Sequence, residues 1–158
     1  MEFAKPAFDV GFATNDLDGF RALWEQQAGI AYDHLAKLGD GFHQHRWRQG
    51  DSIIKINHTR KPLEAQPPGG YQALTLRAAT AADLETPDGV PVRLRADTDA
   101  DLTLHVVTSD LDAFTHFYGT RLGLMADGPA TFRLGGSRIV ATTGPQPARF
   151  GWQDRGLR

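Results

Sequence analysis

"TSDLDAFTHFYGTRLGL" occupies residues 108–124, and "TNDLDGFRALWEQQAGI" occupies residues 14–30. The two stretches are one plan written twice. At a constant offset of 94, the pairs Thr14/Thr108, Asp16/Asp110, Leu17/Leu111, Asp18/Asp112, Phe20/Phe114, Gly29/Gly123 and Asp33/Asp127 are identical. Each stretch reads as a helix with both ends marked. Asp16 and Asp110 stand where an N-cap carboxylate accepts a free backbone N–H. Asp18 and Asp112 add negative charge to the first turn. Apolar residues follow at helical spacing: Leu17, Phe20, Leu23 and Trp24 in one copy, Leu111, Phe114, Phe117 and Tyr118 in the other. Phe20, Trp24, Phe114 and Phe117 are therefore expected in the core. Gly29 and Gly123 suit the position just past a helix end. The paired aspartates resemble acid–base dyads, but capping accounts for them.

The repeat extends in both directions. Residues 8–13 and 102–107 are short apolar stretches of strand type. After each helix come a variable loop and two strands around a tight glycine turn, Gly50-Asp51 and Gly135-Gly136. There the offset falls from 94 to 85 and aligns Arg48/Arg133, Gly50/Gly135, Ser52/Ser137 and Ile54/Ile139, so the second copy is nine residues shorter. Between the copies, "QPPGG" reads as a linker, "YQALTLRA" and "VPVRLRA" as strands, and "TPDG" as the turn before the second. The expected class is α+β. Residues 1–60 form a first βαβββ unit and residues 61–98 a linker plus an abbreviated strand segment. Residues 99–144 form a second, shorter βαβββ unit, and 145–158 a patternless tail.

Composition narrows the function classes. The 158 residues suit one domain with a sizeable core, and 41% hydrophobic with 23% charged residues is ordinary for a soluble protein. A net charge of −2 gives no pull toward nucleic acid or membrane. The absence of cysteine excludes disulfides and thiolate metal sites. No apolar run approaches the roughly 18 residues of a membrane span, and the first residues lack a secretion signal. The expectation is a cytoplasmic protein with a small-molecule ligand and no nucleic-acid or membrane partner.

The chemically dense stretch is "FHQHRWRQGDSIIKINH", residues 42–58. A two-residue turn at Gly50-Asp51 pairs Trp47 with Ile54, His45 with Ile56, His43 with His58, Arg46 with Lys55 and Gln44 with Asn57. A one-residue slip would exchange the two faces. The second copy favours the first register, because it groups Phe132, Ile139 and Ala141 on one side and Arg133 with Arg138 on the other. His34 and His116 read as loop and helix-surface residues.

A βαβββ unit with "DLD" opening its helix, "FYG–RLGL" closing it and a glycine-turn hairpin after it resembles the vicinal oxygen chelate superfamily. Glyoxalase I, extradiol dioxygenases and the fosfomycin- and bleomycin-resistance proteins belong to that group. "HRWRQGDSIIKIN" is similar to a hairpin of glyoxalase-like members, and "TPDGVPVRLRA" resembles the strand closing a complete unit. The resemblance implies paired βαβββ units in a U-shaped, barrel-like mixed sheet with helices outside. It also implies a divalent metal held by a His or Gln early in each first strand and a Glu in each last strand. Carried over, those positions are Asp9 and Thr103, Lys55 and Val140, with Arg93 in the middle segment. Only Asp9 among them could bind a cation, and a protonated lysine has no lone pair.

The resulting expectation is a glyoxalase-like protein with the usual metal ligands lost and no cofactor. It would bind a small anionic or polyoxygenated molecule in a basic cavity of Asp9, Arg46, Arg48, Lys55, Arg93, Thr103, His105, Arg133 and Arg138, with Asp9 the lone acid. Arginine offers such a ligand a bidentate fork. One alternative is a metal-dependent enzyme of lyase, dioxygenase or isomerase type, with Fe, Mn, Ni or Zn held by His43, His45, His58 and His105. Another is a non-catalytic assembly module. A homodimer is expected, since two units per cavity invite partner exchange.

Overall fold

The computed structural model describes residues 3–64 and 70–145. The "QPPGG" linker apart from Gly70, and the tail apart from Pro145, lie outside the described residues. In chain order the first unit is β1 (Val10–Thr14), α1 (Leu17–Arg21) continuing as a π-helical segment (Ala22–Gln27), β2 (Tyr32–Gly39), β3 (Phe42–Gln49) and β4 (Ser52–Thr59). A middle unit follows: β5 (Tyr71–Arg77), β6 (Ala82–Glu85) and β7 (Pro91–Arg95). The third is β8 (Leu102–Thr108), α2 (Leu111–Thr115) with its π-helical segment (His116–Arg121), β9 (Met125–Ala126), β10 (Thr131–Leu134) and β11 (Ser137–Thr143).

Local chemistry builds the two helical units alike. Asp16 Oδ1 accepts from the Gly19 N–H and Asp110 Oδ1 from the Ala113 N–H, each at 2.8 Å, as N-caps do. Both helices widen at the same place in the repeat, with Ala28 N–H donating to Leu23 O and Leu122 N–H to Phe117 O. Gly29 and Gly123 then turn the chain at φ 67° and 69°. The next residues, Ile30 and Leu124, donate back to Trp24 O and Tyr118 O, which satisfies carbonyls the helix end leaves open.

The strands form two sheets. The first has order β1-β4-β3-β2 and the second β6-β7-β5-β8-β11-β10-β9. In the first, β1 runs parallel to β4; in the second, β8 runs parallel to β11 and β5 to β7. The middle unit thus keeps the plan of its neighbours without a helix or a second strand. It is joined to the third unit through the antiparallel pair β5–β8. The fold is mixed α+β, and neither sheet closes into a barrel.

One core serves both sheets. Phe20, Leu23 and Trp24 of the first helix lie in the same buried cluster as Trp47, Ile54 and Ile56 of the first sheet and Leu74, Leu76, Val92 and Leu94 of the middle unit. The first helix therefore covers the sheet face that the middle unit cannot cover for itself. A Cβ on Gly19 would lie 2.8 Å from Pro87 Cγ, so the helix start touches the β6–β7 turn. Each fully buried apolar side chain of this kind contributes roughly 1.5–3 kcal/mol. Helix α2 is anchored by Phe114 and Tyr118 against Phe132 of β10, with ring centroids 6.1 and 6.0 Å from it.

Several expectations change. The loop after the first helix is the strand β2, so His34 is a strand residue. Residues Ala82–Glu85 form a strand as well. Phe117 is 49% exposed rather than core, although its counterpart Leu23 in the equally widened first helix is 1% exposed. The nine-residue difference between copies lies between helix and turn, where β2 and β3 have eight residues each and β9 and β10 only two and four. No described helix is long and apolar enough to cross a membrane.

Candidate functional site

The Gly50-Asp51 turn sets the register of the first hairpin as expected: Arg46 pairs with Lys55, Gln44 with Asn57 and His43 with His58. Trp47, Ile54 and Ile56 are 0% exposed and face the helix. Arg46, Lys55 and their neighbours occupy the opposite face, which we call outward.

On that face the first-sheet residues are tied to one another. Asp9 bonds Lys55 Nζ at 2.6 Å, accepts from the Ile53 N–H at 3.0 Å, and also pairs with Lys5. Burial pushes the Asp9 carboxyl up, but hydrogen bonds from Lys5, Lys55 and Ile53 outweigh it and hold the group below its usual value. Arg46 donates to Gln44 Oε1 at 2.7 Å and approaches His34 Nε2 at 3.2 Å. Gln44 in turn donates to Asn57 Oδ1 at 2.9 Å. Arg48 pairs with Asp33 at 3.3 Å.

The second sheet carries the other expected residues. Arg133 and Arg138 share two carboxylates: Asp99 at 2.6 and 2.8 Å, and Asp127 at 3.1 and 2.7 Å. Asp9 is therefore not the lone acid, since Asp33, Asp99 and Asp127 neutralise three of the expected arginines. The repeat held a signal for this: Asp33/Asp127 and Arg48/Arg133 are both identical pairs, and each copy joins its Asp to its Arg. Asp99 carried no such mark.

Near the β5–β8 seam stand Thr75, Thr103 and His105. Thr75 lies opposite Thr103, and Ala73 opposite His105. Thr75 Oγ1 and His105 Nε2 are 3.0 Å apart. Burial, then the positive charges of Arg93 and Arg138, lower the His105 pKa. Arg93 projects on the outward side of β7, opposite the buried Val92 and Leu94. It has no described acid within ion-pairing distance.

The nine expected ligand residues thus fall on two sheets. Asp9, Arg46, Arg48 and Lys55 belong to the first, and Arg93, Thr103, His105, Arg133 and Arg138 to the second. Arg93 on β7 and Arg138 on β11 flank β5 and β8 and both act electrostatically on His105, while the first-sheet residues stay in their own network.

The positions at which the resemblance implies a metal can be tested for fit. Lys55 lies opposite Gly11, Val140 opposite His105, and Arg93 opposite Thr75. The three pairings are equivalent, so Asp9, Thr103 and Ala73 also correspond. Ala73 and Thr103 provide no carboxylate or imidazole, Val140 is apolar, and Arg93 is cationic. The Asp9 carboxylate is engaged by two ammonium groups and an N–H. These residues do not fit a divalent cation. Of the alternative ligands, His43, His45 and His58 line the helix side of the first sheet, while His105 belongs to the second. Among the described residues no group of three or more His, Asp or Glu is arranged to hold a metal.

Neither a family model nor a curated relative matches the chain. Solved structures do. A point mutant of glyoxalase I from Zea mays is similar at TM-score 0.71 and 14% identity, covering 90% of this chain and 68% of that one. Glyoxalase I from Zea mays itself aligns at TM-score 0.67 and 15% identity, over 93% of this chain and 69% of that one. A Bacillus subtilis protein provisionally assigned as a dioxygenase aligns at TM-score 0.64 and 10% identity, over 92% and 65%. At such identities the likeness speaks to architecture and leaves chemistry to the residues. The chain has the fold of the vicinal oxygen chelate proteins.

Proposed function

We propose that the outward face of the second sheet binds a small organic anion, carboxylate-bearing or polyoxygenated, through Arg93, His105 and Arg138. The observation that carries this reading is Arg93, a cation with no described acid partner, near a His105 that Thr75 holds in place. An anion there takes the guanidinium fork of Arg93 and favours protonation of His105. Arg138, held by Asp99 and Asp127, borders the site on the other side without adding net charge to it. Of these three residues, Arg93 stands at a position where the resemblance implies a metal ligand.

The test is thermal unfolding with a panel of short aliphatic dicarboxylates and hydroxy acids, none with a ring-sized apolar body. A binding anion raises the melting temperature, and Arg93→Ala abolishes the rise. A panel that leaves the wild type unmoved, or a rise that survives in Arg93→Ala, contradicts the proposal.

A homodimer is a second proposal, and the edge of the first sheet supports it. First strands β5 and β8 pair with each other, whereas β1 ends its sheet. A second copy pairing along β1 would give the first unit the partner that the third already has. Sedimentation equilibrium across a wide concentration range should then show a dimer; a monomer throughout contradicts it.

A further inference from the structure

The histidines on the helix side of the first sheet have no part in the proposal above, yet they line a cavity of about 510 Å³. Its walls are Leu17 at the start of α1, Gly41, His43 and His45 of β3, His58 and Thr59 of β4, and Arg60 and Lys61 just beyond. No carboxylate is among them. His43 lies opposite His58 across the hairpin, and the His45 and His58 rings are 6.4 Å apart at 64°. Tyr32 Oη reaches His45 Nδ1 at 3.3 Å and fixes that ring from behind.

The two permanent cations stand on a braced segment. Asn15 Nδ2 donates to both Thr59 O and Lys61 O, at 2.7 and 2.8 Å, and Lys61 N–H donates to Thr59 Oγ1 at 3.2 Å. Arg60 and Lys61 form no ion pair with any described acid. The cavity therefore joins ring and aliphatic surface to an unneutralised guanidinium and ammonium. Two unpaired cations beside three imidazoles disfavour a metal ion and favour an anion.

We infer that this cavity is a second ligand site, taking an organic carboxylate with an apolar, ring-sized body. Arg60 and Lys61 hold the carboxylate, and Leu17, His43 and His58 contact the body. The ligand sits on the opposite side of the sheet from Lys55 and is independent of Arg93.

The test is a titration of the ¹⁵N-histidine-labelled full chain with benzoate at neutral pH, followed by side-chain NMR. Saturable movement of the His43, His45 and His58 resonances is expected, with acetate moving them far less. Arg60→Ala/Lys61→Ala should weaken benzoate by about tenfold or more, the size of one lost charge-assisted hydrogen bond, while in Arg93→Ala the His43, His45 and His58 resonances still move as in the wild type. Both altered cations are on the surface, so retained spectral dispersion separates lost binding from lost folding. The inference is overturned if the three resonances stay fixed up to the solubility limit of benzoate. It is equally overturned if acetate matches benzoate or the double variant binds as well as the wild type. Movement confined to His105 would point to the other sheet and likewise overturn it.

Discussion

The first and third units share a plan but use their outward faces differently. In the first, Lys55 and Asp9 form an ion pair, and Gln44, Arg46, Asn57 and His34 are linked around it. In the third, the corresponding positions are Val140 and Thr103, and the arginines are drawn aside to Asp99 and Asp127. The first sheet stands alone, while the third unit is fused through β8 to the middle unit. The fused seam brings Arg93, which has no described acid partner, near His105. On the first sheet's outward face Lys55 and Arg48 pair with acids, while Arg46 is held by the neutral Gln44 and by His34.

The helices offer the sharpest test of this contrast. Phe20 is 0% exposed in a core that reaches the first sheet and the middle unit, whereas its counterpart Phe114 is 7% exposed. Phe20→Ala should cost about 3–5 kcal/mol and Phe114→Ala measurably less, by urea denaturation. Equal losses would show that the first helix does not serve two sheets.

The turns come next. Gly50 and Gly135 both have positive φ, 59° and 55°. A Cβ on Gly135 would meet Pro6 O at 2.1 Å, a backbone atom, while one on Gly50 would meet the Asp101 carboxylate at 2.3 Å. Each Gly→Ala change should exceed about 1 kcal/mol, with Gly135 the worse because backbone cannot swing aside. If Gly50→Ala proves the more damaging, the two turn contacts have been ranked wrongly.

Asp9→Asn probes the ion pair. Its loss should be about 1–3 kcal/mol at neutral pH, as for a partly buried charged hydrogen-bond network. The folded-state pKa of Asp9 is depressed, so its contribution is full above the unfolded value near ~3.9 and fades as pH falls through the lower folded value. The gap between wild type and variant should narrow on acidification below about pH 4. A gap independent of pH down to complete protonation would contradict the pairing. The smallest effect is in the caps: Asp16→Ala and Asp110→Ala should each cost about 1 kcal/mol, and a clear inequality would mean one cap does more than bond a single N–H.

Much of the fold was legible because its signals are local. Asp caps, helical apolar spacing and closing glycines each act within a turn or two, and the two-residue turn fixes which residues share a face. β2 was hidden because it is an edge strand, exposed along most of its length and broken by two register shifts, so it shows no alternation. β6 is a four-residue edge strand with the same difficulty. The sharing of the first helix is non-local, and no pattern within 14–30 announces it. The candidate site was half legible. Turn geometry put Lys55 and Arg46 outward, but Asp99 lies in the connection before β8, 34 residues from Arg133 in sequence, and only folding brings it there. The same holds for the separation of the basic residues onto two sheets.

The positions at which the resemblance implies a metal carry Lys55, Arg93, Val140 and Thr103, none of which can bind one, and an Asp9 already held by two ammonium groups. The most direct measurement is elemental analysis of untagged protein from cells supplied with Fe, Mn, Ni and Zn. Metal far below one equivalent per chain is expected after gel filtration. One equivalent of a single transition ion, retained by the wild type and lost on Asp9→Ala, would contradict it.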